Sequence, residues 1–68
     1  MRYAVLITKT EDGYVAEAPD LPGCTATAAT VAAAGPAIGA AIRKHLARLE
    51  RDGLPAPEPS TVVDYVEV

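Results

Sequence analysis

Asp12-Gly13-Tyr14-Val15-Ala16-Glu17-Ala18-Pro19-Asp20-Leu21-Pro22-Gly23-Cys24 places a hairpin turn, a strand and a second turn one after another with no spacer. Asp12-Gly13, preceded by the polar Thr10 and Glu11, offers the φ > 0 freedom that a tight hairpin needs. Tyr14 to Ala18 therefore reads as a strand, and Pro19 stops it by removing a ladder donor. Leu21-Pro22-Gly23-Cys24 suits a type II turn, with Pro22 at its second position and Gly23 at its third. A further strand is expected from about Cys24.

Working outward, Arg2 to Lys9 contains the apolar run Tyr3-Ala4-Val5-Leu6-Ile7 and is predicted as the first strand. Tyr3, Val5 and Ile7 point one way and Ala4 and Leu6 the other, so both faces are apolar. A single helix covers only one face, which leaves the second as an interface or an exposed patch. Cys24, Ala26 and Ala28 alternate with Thr25 and Thr27 in the third strand. Small residues there admit a close neighbour, or simply reflect a chain rich in alanine.

Thr30 is a good N-cap for a helix, although no Glu follows three residues later to complete a capping box. Gly35-Pro36 interrupts the pattern, and a continuous but kinked helix is expected through it. Ile38, Ile42, His45 and Leu49 then fall on one stripe, flanked by Leu46, and this stripe is predicted to pack on the sheet. Gly53 and Pro55 end the helix near Asp52. Three prolines between Leu54 and Ser60 make a stiff arm, and Thr61 to Val68, β-branched and mostly apolar, reads as a fourth strand. The expected fold class is thus α+β, a single domain over 1–68: a three-stranded antiparallel meander, one helix on one face, and a C-terminal strand.

Size and charge restrict function. A domain of 68 residues buries only about 60% of its unfolded surface, so self-association is the expected remedy. Phe and Trp are missing, and Tyr3, Tyr14 and Tyr65 are the only aromatics. Nine acids against six bases give a net charge of −3, and no run of Lys or Arg marks a nucleic-acid footprint. An acidic domain complements a basic partner instead. One cysteine forms no internal disulfide, and the absence of a leader pattern or a membrane-length apolar stretch makes the cytoplasm the expected compartment.

Gly13-Tyr14-Val15-Ala16, Pro19-Asp20-Leu21-Pro22-Gly23-Cys24, a Thr-led helix, the Asp52-Gly53 helix end and Pro57-Glu58-Pro59-Ser60 together resemble the HicB family of antitoxins. The resemblance runs from Arg2 to about Ser60. It implies a partial ribonuclease-H-like fold that silences a small mRNA-cleaving toxin, HicA, by occlusion. Members often carry a DNA-binding segment after this domain, and no residues for one follow Val68, so either a naturally short form or a truncated one is expected. Pro36 and the lack of acids after Thr30 depart from the family pattern. The motif residues Gly13, Tyr14, Pro19, Asp20, Leu21, Pro22, Gly23 and Cys24 are the candidate surface for partner contact. The implied partners are a HicA-like toxin and further copies of the chain, as a homodimer or a higher even oligomer. The competing reading is an orphan homo-oligomeric ligand-binding or scaffold domain.

Catalysis finds no support in the residues, so no catalytic, metal or cofactor-binding residue is assigned. The implied fold is shared with enzymes that hold two metal ions between carboxylates, but Arg2 to Thr10 contains no acid until Glu11. His45 is alone of its kind, and with Cys24 it makes no recognised ligand spacing. It is expected to be packed and hydrogen-bonded at the helix–sheet boundary, with Cys24 a small buried hydrophobe. Asp20 either bonds the N–H groups of its own turn or meets a partner. Arg43, Lys44, Arg48 and Arg51 are expected to be solvated and paired with Glu50 or Asp52. Tyr14 either closes the core beneath the hairpin or presents its hydroxyl.

Overall fold

Gly13 sets the first reversal. In a computed structural model describing residues 1–68, its φ is +142°, and a Cβ there would stand 2.6 Å from the Ala28 carbonyl oxygen, so glycine is required by conformation and by space. Glu11 and Asp12 keep negative φ, so the freedom resides in Gly13 alone. The turn joins β1 (Leu6–Thr10) to β2 (Gly13–Glu17), and β3 (Thr25–Ala28) completes an antiparallel sheet of order β1-β2-β3. In the ladder Ile7 pairs with Ala16 and Ala16 with Ala26, while Thr8 pairs with Val15 and Val15 with Thr27.

The β2–β3 connection is two turns in succession. Leu21 N donates to Ala18 O at 3.0 Å around Pro19-Asp20, and Cys24 N donates to Leu21 O at 3.0 Å around Pro22-Gly23. Gly23 takes φ +80°, as the type II turn demands. Ala18 N closes the loop on Cys24 O. This winding turns Leu21 inward, where it is fully buried.

The helix α1 spans Val31–Arg51 without interruption, with Pro36 inside it. Thr30 Oγ1 accepts from Ala33 N at 3.1 Å and caps its start. At the other end Gly53, at φ +72°, donates to Glu50 O while Leu54 N donates to Leu49 O. These two bonds are a Schellman motif, and they stop the helix at Asp52. Ala34 and Ile38 are buried on the stripe, and Ala41, Ile42 and Leu46 pack beside them. The fully buried core is only Ala16, Ala18, Leu21, Cys24, Ala34 and Ile38.

Two expectations are corrected, and one feature is added. The first strand begins at Leu6 rather than Arg2, because β2 ends at Glu17, where the turn starting at Ala18 takes over the backbone bonds. Tyr3 and Val5 still pack against the core from outside the ladder. The fourth strand does not form: residues 61–68 have no ladder partner. Strand propensity records fit to a pleated surface, and without an engaged edge it produces no strand. Lastly, α1 lies over β3 and β2 and leaves β1 at the rim. Ile7 shares the helix side of the sheet with Ala16 yet remains 38% exposed.

Candidate interaction surface

The motif from Gly13 to Cys24 divides by role. Leu21 and Cys24 belong to the core, and burial pushes the Cys24 thiol pKa up. Pro19, Pro22 and Gly23 are exposed on the turns. Tyr14, half-buried, borders an open hollow of about 430 Å³ shared with Thr10, Asp12 and Thr27, and it is not among the residues packed on the core.

Asp20 makes no hydrogen bond within its own turn. Its Oδ2 accepts from Ser60 N and Thr61 N, both at 3.0 Å, and its Oδ1 accepts from Ser60 Oγ at 3.1 Å and Thr61 Oγ1 at 2.7 Å. Four donors on one carboxylate favour its charged form, and the Thr61 hydroxyl is the largest contributor. The carboxyl pKa falls from 3.8 to about 2. A second tie lies nearby, where Tyr3 Oη donates to Pro57 O at 2.6 Å. Together they fasten the proline arm across the sheet end. Sequence reasoning missed this clamp because its halves are 40 residues apart. Two adjacent hydroxyl residues, Ser60-Thr61, beyond a proline arm are the only hint in the chain.

His45 is half-buried and borders a shallow hollow of about 180 Å³ with Gly23, Thr25, Lys44 and Arg48. No side-chain hydrogen bond in the chain involves it, contrary to expectation. Nor does one join Arg43, Lys44, Arg48 or Arg51 to Glu50 or Asp52, so these bases stand free on the helix. Arg48 and Arg51 instead face the negative end of the helix dipole from its last turn. No three of His, Cys, Asp and Glu converge where a metal ion could be held.

What the molecule offers is surface. The sheet face away from α1 carries Leu6, Thr8, Val15, Glu17, Thr25 and Thr27, all exposed except the half-buried Val15, a patch dominated by β-branched side chains. In the tail, Val62, Tyr65 and Val66 are each more than 80% exposed. The whole chain exposes 5193 Å². A 7.0 kDa monomer is expected to expose ~4,000 Å² from the scaling of surface with mass.

No family model matches the chain. Among solved structures, a chain of the HicA3 and HicB3 toxin-antitoxin complex superposes with a TM-score of 0.75 at 30% identity, covering 88% of this chain and 70% of that one. The chain belongs to the HicA–HicB toxin–antitoxin group. This toxin–antitoxin relative is also 32% identical over 66 residues to the uncharacterized 14.9 kDa protein in the rep-hol intergenic region of Haemophilus phage HP1 (strain HP1c1). That alignment takes in 97% of this chain and 50% of the phage protein, so the chain spans half the length of the curated relative it matches. No helix is long and apolar enough to cross a membrane.

Proposed function

We propose that the chain is the antitoxin member of such a pair: a HicB-like domain that binds a small HicA-like mRNA-cleaving toxin and neutralises it by occlusion, without chemistry of its own. The observation that carries this reading is the superposition of 88% of the chain on a member of a toxin–antitoxin complex. The motif Pro19-Asp20-Leu21-Pro22-Gly23-Cys24 favours the antitoxin side of the pair by its resemblance to HicB. Charge agrees, since a chain of net −3 complements a toxin that must itself grip RNA phosphates. The uncovered sheet face supplies the contact area, and the motif turns with Asp20 lie at its border. Nucleic acid and membrane are not proposed as partners of this domain, and the compartment proposed is the cytoplasm.

Self-association is proposed alongside, as a homodimer or higher even oligomer, because the exposed area exceeds what the mass requires. That excess is also what favours the second reading, a homo-oligomeric scaffold or ligand-binding domain with no toxin.

Co-expression with the product of the adjacent reading frame decides between them. The expected result is growth rescued from arrest and a complex recovered intact on purification. A neighbouring product that arrests growth regardless of this chain, and never co-purifies with it, overturns the antitoxin reading.

A further inference from the structure

β1 is a free sheet edge, all five of its residues are exposed, and α1 packs mainly on β3 and β2. Leu6 and Ile7 are 39% and 38% exposed on its two sides. An uncovered apolar edge of this kind is a template for one more strand. The only charge on β1 is Lys9.

The tail has the complementary deficit. Thr61 to Val68 is strand-like in composition, yet from Val62 onward its apolar side chains are 42% to 121% exposed. Its root is fixed, because Asp20 holds Ser60 and Thr61 and Tyr3 holds Pro57. Val62 and Val63 border an open hollow of about 450 Å³ together with Arg2, Tyr3 and Ala4, just ahead of β1. From that root the tail extends from the body, and the radius of gyration is 13.0 Å where a compact chain of this length has ~11 Å.

We propose that residues 61–68 of one copy add as a strand to the β1 edge of a second copy, and reciprocally, so that two sheets continue into one another through a twofold dimer. The inference rests on the self-association proposed above and names the segment that performs it. Area selects a second copy as the occupant: the surplus exposed surface is on the order of 1,000 Å², and a standard interface buries about 800 Å² per partner. Both halves of the contact reside on each chain, which is the condition for a closed, self-complementary pair. Charge agrees, since the tail brings Asp64 and Glu67 toward an edge whose one charge is Lys9. Within one chain residues 61–68 join no ladder. A twofold pair lets the tail lie antiparallel to the partner's edge, the stronger of the two ladder types.

Light scattering on the full chain at tens of micromolar tests it. The wild type is expected at twice 7.0 kDa, and Tyr65→Pro, which removes a backbone N–H at a position 89% exposed, is expected to weaken the dimer at least tenfold while the helical circular dichroism signal is retained. Mixing Thr8→Cys with Tyr65→Cys chains is expected to yield an oxidised cross-linked pair, and mixing Val31→Cys with Tyr65→Cys to yield none. A dimer untouched by Tyr65→Pro overturns the tail exchange while leaving self-association standing. A monomeric wild type overturns both, and neither result bears on growth rescue, which tests the toxin separately.

Discussion

Asp20 does at the residue scale what no neighbour in sequence foretells. Its carboxylate collects four hydrogen bonds from Ser60 and Thr61, and its pKa of about 2 is the thermodynamic trace of that company. The sign follows from linkage. A carboxyl whose folded pKa lies below its unfolded value adds stability that is fully present above pH 3.8 and is lost as pH falls toward about 2. The clamp is therefore expected to open in that interval and to be indifferent to pH near neutrality. Amide shifts of Ser60 and Thr61, followed by NMR through acid, should titrate with a midpoint near 2, and in Asp20→Asn they should stay flat. A midpoint at the ordinary carboxylate value would mean that the clamp is not populated. Asp20 was legible in the sequence as a polar turn residue, but its partners were not, because hydrogen bonds over 40 residues leave no periodicity to read.

Among the elements, α1 shows local preference overruled by packing. Pro36 removes the N–H that would bond Ala32 O and crowds that carbonyl, yet Val31–Arg51 is one helix. It holds because Ala34 and Ile38, on either side of the proline, are both buried against the sheet. An interior proline costs ~3 kcal/mol relative to alanine, partly offset by ~1 kcal/mol from the stiffer unfolded chain. Pro36→Ala is thus expected to stabilise the fold by about 2 kcal/mol, read as a higher urea midpoint at constant slope. A lower midpoint would show that the proline helps to shape the packed face. The opposite case is the tail, where a segment with every local mark of a strand lacks one. The meander and the helix were readable because their hydrogen bonds close within a few residues. The tail was misread because its strand state depends on an edge elsewhere.

At the scale of the whole molecule, six buried residues, three of them alanines, make a thin core for 68 residues. Exposed surface well above that of a monomer of this mass makes stability and assembly one question. Binding that favours the folded chain raises apparent stability by mass action. The melting temperature is therefore expected to climb by several degrees between one and one hundred micromolar chain, followed by circular dichroism. A concentration-independent melt would place all of the stability within a single copy. The sequence by itself determined the order of the three strands and the helix, the two turns between Gly13 and Cys24, the limits of α1 near Thr30 and Asp52, and the inward placement of Ile38, Ile42 and Leu46, because each follows from backbone sterics or from hydrophobic spacing over a few residues. Only the tertiary structure decided that α1 covers β2 and β3 but not β1, that Asp20 fastens the proline arm, and that the tail stands free. Each of these depends on which distant groups meet, and a chain written in one dimension does not encode that locally.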